Sequence, residues 1–151
     1  MEQFEIVKRY FKRLEAIYEG VQLSPGYNRE CYDDDVMSFF IHCYHVRDWL
    51  IHDENFNISS REVDEYIDTH RALSVCTDLA NGLKHCRLTR RTRTENQPHV
   101  SGRERLTSKF GDELSVMSCK YRVMSSNENI DALDLAKECV RLWDDFIIEL
   151  A

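Results

Sequence analysis

Apolar residues recur along most of this chain at alternating spacings of three and four. The first run carries Phe4, Val7, Phe11, Leu14, Tyr18 and Val21, one stripe of an amphipathic helix that ends near Gly20. Ser24-Pro25-Gly26 breaks the chain, and the carboxylates Asp33 to Asp35 suit the start of a second helix. That helix buries Val36, Phe40, Cys43 and Leu50, with Phe39, Val46 and Trp49 widening its apolar face. Ser59 and Glu62 read as a capping box opening a third helical region. It is one bent helix or two, because Thr69 can cap a restart whose buried stripe is Leu73, Cys76, Leu79, Leu83 and Cys86. The period then changes. Met117, Cys119, Tyr121 and Val123 alternate with Ser118, Lys120 and Arg122, which is strand spacing, and Gly111-Asp112 is a turn joining this strand to one over Leu106 to Phe110. Helical spacing returns at Ile130, Leu133, Ala136, Val140, Trp143, Ile147 and Leu150.

These patterns predict a mainly α fold. Four or five helices form an up-and-down bundle, with a β-hairpin inserted before the C-terminal helix. The whole chain, 1–151, reads as a single helical domain with the hairpin at about 104–124 and an Arg-rich loop at about 87–103.

Composition agrees with an ordinary globular chain and excludes a disordered one: 42% hydrophobic, 31% charged, five Gly and two Pro in 151 residues. Nothing at the N-terminus resembles an export signal, no apolar run reaches the roughly 18 residues that span a bilayer, and no membrane partner is expected. The six cysteines include no CxxC pair, and four lie on apolar faces, which fits a reducing compartment; a cytoplasmic location is expected.

Two polar stripes interrupt the apolar pattern. On the second helix these are His42, His45, Asp48 and His52; on the next, Ser74, Asp78, Asn81 and His85, with Lys84 adjacent. Each set shares a helix face, and consecutive helices of a bundle usually pack together, so the two faces could converge. Three chemistries could use them. A metal-free acid–base site would move protons through His85 or His52, orient the imidazole with Asp48 or Asp78, and stabilise an anion with Lys84 or Arg47. A metal site would draw on His45, Asp48, His52, Asp78 and His85. A structural polar network would use the same atoms and catalyse nothing.

The net charge of −7 conceals an asymmetry. From Lys84 to Arg105 there are seven basic and two acidic residues, a local +5 that leaves −12 for the remainder. Arg87, Arg90, Arg91 and Arg93 fall in this window beside the polar stripes and are candidates for nucleic-acid contact. An equally open reading pairs these arginines with the acidic helices.

Asp48-Trp49, the run Asp78-Leu79-Ala80-Asn81-Gly82-Leu83-Lys84-His85 and the closing Asp131 to Ile147 segment resemble a family of small, largely uncharacterised bacterial proteins. That resemblance spans most of the chain and implies a grouping without an activity. Arg47-Asp48-Trp49-Leu50-Ile51-His52 also resembles the Arg…His motif of the HEPN superfamily, though it lies earlier than is usual there. This likeness implies a bacterial or phage-borne helical homodimer acting on RNA or nucleotides, such as a metal-independent ribonuclease of a toxin–antitoxin or phage-defence system. In it His85, His52, Arg47, Asp48, Asp78, Asn81 and Lys84 would be catalytic, and no cofactor would be needed. The alternatives are a non-enzymatic module binding a protein partner, as an antitoxin or adaptor does, and a metal-dependent hydrolase. Gly82, inside a predicted helix, marks a close approach by another group.

Overall fold

The computed structural model describes residues 1–22, 29–85, 91–111 and 114–150, with the side chains of Gln22 and Leu114 excepted. The Ser24-Pro25-Gly26 break, Cys86, Arg87, Arg90 and Asp112 of the predicted turn lie outside the described residues.

The element order is α1 (Glu2–Glu19), β1 (Val21–Gln22), α2 (Arg29–His52), α3 (Ser60–Thr69), α4 (Arg71–His85), β2 (His99–Phe110), β3 (Leu114–Ser125), β4 (Glu128–Asp131) and α5 (Ala132–Leu150). Helix α2 is the hub and packs against all four other helices. Its buried residues, among them Tyr32, Val36, Phe39, Phe40, Cys43, Val46 and Leu50, surround much of its circumference, as a central helix requires. Helices α1 and α2 are antiparallel. The Gln3 amide donates to the His42 carbonyl at 2.8 Å near one end, and Arg13 bonds Asp35 at 3.0 Å nearer the other.

The capping box forms as the sequence predicts: Ser59 Oγ accepts from the Glu62 N–H, and the Glu62 carboxylate accepts from the Ser59 N–H at 2.9 Å. The third helical region is two helices. His70 is extended between them (φ −117°, ψ 105°), and Thr69 donates its hydroxyl back to the Tyr66 carbonyl instead of capping α4.

A four-stranded antiparallel sheet completes the core, more than the hairpin that spacing alone suggests. Strand β2 begins at His99, so the predicted Arg-rich loop gives way to a strand well before 103. Strand β3 pairs with β2 along its length, from His99↔Met124 to Phe110↔Leu114, with a register shift between Val100 and Gly102. On its other side β3 pairs with β1 at Met117 and Val116, and with β4 from Arg122 to Ser125. Alternate residues Met117, Cys119, Tyr121 and Val123 are buried, as their period requires, and β3 packs on α1 and α5. Because this sheet shares the core, the helices do not form a simple up-and-down bundle.

One side chain closes a gap in the sheet. Between the stretches of β3 taken by β1 and β4, the Tyr18 hydroxyl donates to the Tyr121 carbonyl and accepts from the Tyr121 N–H, both at 2.9 Å. Burial pushes the Tyr18 phenol up to about 12, keeping it a neutral donor. Gly20, which turns the chain from α1 into β1, has φ +115°, and a Cβ there would lie 2.9 Å from Val116 Cγ1.

Some apolar positions fall elsewhere than their spacing predicts. Trp49 is 42% exposed and Leu83 37%, so neither belongs to the core. On α5 the deepest face is Leu135, Ala136, Cys139, Leu142, Trp143 and Phe146, rotated from the predicted stripe; Leu133, Val140 and Ile147 are only half-buried, and Ile130 lies on β4. No helix among the described residues is long and apolar enough to cross a membrane.

Candidate functional site

The predicted residues Arg47, Asp48, Asp78 and Arg93 are brought into one neighbourhood, but through residues that sequence reasoning did not name. Arg47 on α2 reaches α3 and grips Asp64 with two bonds, Nε to Oδ1 at 2.8 Å and Nη2 to Oδ2 at 2.7 Å. Its remaining Nη1 donates to Asp48 at 3.0 Å. Arg93, from the segment after α4, bonds the same Asp64 at 2.6 Å and pairs with Asp68 one turn further along α3. The next residue, Thr94, donates its backbone N–H (2.7 Å) and its hydroxyl (2.8 Å) to Asp78 on α4.

The network therefore straps the segment around residues 93–94 across α3 and α4 and ties it to α2. The Arg47 bond holds the Asp64 carboxyl below the usual carboxylate range, while the Asp64 bond raises the Arg47 guanidinium further above its ordinary value. Two guanidinium groups face three carboxylates, Asp48, Asp64 and Asp68, so the cluster is neutralised and is no ready anion site. Asp78 is 3% exposed and spends its Oδ2 on Thr94, which is structural work.

Among the described residues no histidine bonds Arg47, Arg93 or Thr94, and His45 meets the network only at Asp48. His45 Nδ1 stands 3.5 Å from Asp48 Oδ2 on one helix face. His52, at the end of α2, is exposed and lines an open groove of about 660 Å³ with Asp48, Trp49, Asp53, Glu54 and Asn55. Three carboxylates border that groove, a poor setting for a phosphate. Lys84 and His85 are exposed at the end of α4, Asn81 is half-buried, and Arg91 is exposed. His45, Asp48, His52, Asp78 and His85 do not gather as a metal-ligand set among the described residues. His42 is stacked on Tyr10 with ring centroids 5.0 Å apart, and burial lowers its pKa.

Gly82 meets the expectation of a close approach. A Cβ there would come within 2.7 Å of Gln97 Nε2, so the glycine makes room for a side chain of the same strap.

Asp64, Asp68 and Thr94 escaped sequence reasoning because the two aspartates look like the solvated face of a short amphipathic helix. The only available signal was charge: four acidic positions on α3 (Glu62, Asp64, Glu65 and Asp68) against an Arg-rich run further along the chain.

A second surface is the free side of β2, which lies at the edge of the sheet. Leu106 and Phe110 point to the face that also carries Glu104 and Ser108, and they are 67% and 61% exposed. Arg103, Arg105 and Lys109 occupy the opposite face. Arg103 lies 3.3 Å from Asp33, whereas Arg105 and Lys109 extend along an exposed part of the strand.

No protein-family model, no curated protein and no solved structure matches this chain.

Proposed function

We propose that this protein is a non-enzymatic interaction module that takes an extended, acidic segment of a protein partner onto the open edge of β2. One observation carries the reading: a 12-residue edge strand whose outer face exposes two large apolar side chains. An edge strand offers unpaired N–H and C=O groups to an added strand, and alternate side chains of the guest then choose the partner. Leu106 and Phe110 favour apolar positions on one face of the guest, and Arg105 and Lys109 favour carboxylates on the other. The same cations lie on one face of β2, so a second copy pairing there would oppose like charges.

Titration of labelled protein with a synthetic peptide of alternating valine and glutamate tests this. Amide shifts confined to β2 and adjoining β3, with affinity falling at least tenfold in Arg105→Glu/Lys109→Glu, are expected. Absence of binding, or binding unaffected by that charge reversal, would overturn the reading.

A second reading, the HEPN-like ribonuclease, is supported by the groove where exposed Trp49 could stack a base beside His52. His52 and His85 would then transfer protons, Arg47 and Lys84 stabilise the phosphate, and Asp48, Asp78 and Asn81 orient them, within a homodimer. A phosphate would first have to displace Asp64 from Arg47. RNA cleavage that disappears in His52→Ala and His85→Ala would favour this reading over the first.

A further inference from the structure

Three thiols from three different helices meet in the core. Cys43 on α2, Cys76 on α4 and Cys139 on α5 are all buried, and their Sγ atoms lie within 4.8 Å of one another. The Cys76 thiol donates to the Phe40 carbonyl at 3.7 Å, and the Cys139 thiol to the Ala72 carbonyl at 3.4 Å. Both protons are thus directed to backbone oxygens, leaving sulfur lone pairs available. Against them lies Trp143, whose indole Nε1 is buried with no hydrogen-bond partner among the described residues. Three sulfurs from α2, α4 and α5 therefore meet at one buried point.

We propose that Cys43, Cys76 and Cys139 form a three-sulfur site for one soft monovalent cation, copper(I). Thiolate sulfur selects soft ions. Metal–sulfur bonds of about 2.3 Å in a trigonal arrangement place the sulfurs roughly 4 Å apart, so the trio needs to contract by less than an ångström. Zinc fits less well. It takes four ligands, and the trio has no fourth His, Cys, Asp or Glu among the described residues. It would also leave excess positive charge in an apolar core.

Charge and electrons balance for copper(I). Cys43 releases its proton to the medium and forms the sulfur–metal bond, while Cys76 and Cys139 each supply a sulfur lone pair and keep their S–H protons, hydrogen-bonded to the Phe40 and Ala72 carbonyls. The product is neutral, and no electron is transferred because the ion enters as copper(I).

The test uses the full chain, untagged and reduced, with copper(I) supplied as its bicinchoninate complex. Uptake of one equivalent against that chelator is expected, with a higher melting temperature and quenching of Trp143 emission in a Trp49→Phe background. Affinity should fall at least 100-fold in Cys43→Ser and stay unchanged in Cys31→Ser. If Cys43→Ser does not fold, the melting shift and the emission change of the parent still decide. Loss of all copper to the chelator, retention in folded Cys43→Ser, or stoichiometric zinc in preference to copper would overturn the proposal.

Discussion

Arg47 and Asp64 are joined by two N–H···O bonds of 2.8 and 2.7 Å that cross from α2 to α3. The side chains are 21% and 31% exposed, dry enough for the fork-to-carboxylate geometry to matter and wet enough to limit the cost of burying the charges.

Asp64→Asn should destabilise the protein by about 2 kcal/mol, because hydrogen bonds to charged groups are worth roughly 1.5–3 kcal/mol and both Arg47 and Arg93 would lose their shared anion. Urea unfolding measures the loss, and limited proteolysis near residues 93–94 should accelerate. Since the folded-state pKa of Asp64 is depressed, its contribution is complete above the unfolded value of about 3.9 and is lost as pH falls through the lower folded value. The variant should therefore lose stability less steeply in strong acid.

His42 acts at milder pH. Burial lowers its folded-state pKa, so the unfolded chain binds the proton more readily than the native one. Stability should be full above about pH 6.5 and decline as pH falls from there. His42→Gln should flatten that decline relative to the parent when urea midpoints are compared between neutral and weakly acidic buffers.

At Gly82, helix propensity and crowding oppose each other. Alanine in a helix interior is favoured by up to about 1 kcal/mol, but its Cβ would press on the flexible end of Gln97. Gly82→Ala alone should be close to neutral. Adding it to Gln97→Ala should raise stability by up to about 1 kcal/mol over Gln97→Ala itself, read from thermal or urea unfolding.

Tyr18→Phe removes one oxygen that serves both a carbonyl and an N–H of Tyr121. A loss of roughly 2 kcal/mol is expected, since two bonds go and two backbone groups of a buried strand lose their partner. Hydrogen exchange at the Tyr121 amide should rise well above that of its β3 neighbours.

What was legible in the sequence was local. The Ser59–Glu62 box, the alternation of Met117, Cys119, Tyr121 and Val123, and the stripe of α1 through Leu14 depend on neighbours within one element, and each reappears in the fold. What was hidden depends on distant partners. Strands β1 and β4 are two and four residues long, too short to show a period, and exist because β3 offers them a side. Trp49 and Leu83 match a helical stripe yet remain exposed, because spacing defines a face without saying what covers its ends. Of the candidate site, Arg47, Asp48, Asp78 and Arg93 do come near one another, but Asp64 was needed to show that the arginines are already engaged. Cys43, Cys76 and Cys139, spread over 97 residues of sequence, look like three unrelated core positions until α2, α4 and α5 are packed.

The Tyr18 hydroxyl, by standing in for a strand where β1 ends and β4 has not begun, gives the sheet a direction of growth. Along β3 the side facing α1 is filled by β1, a phenol and β4 in succession, leaving no run of backbone long enough to accept a guest. A long guest strand therefore finds a continuous free edge along the 12 residues of β2, whereas β1 and β4 offer edges of only two and four residues, and evolution can vary β2 without disturbing how the other margin is closed.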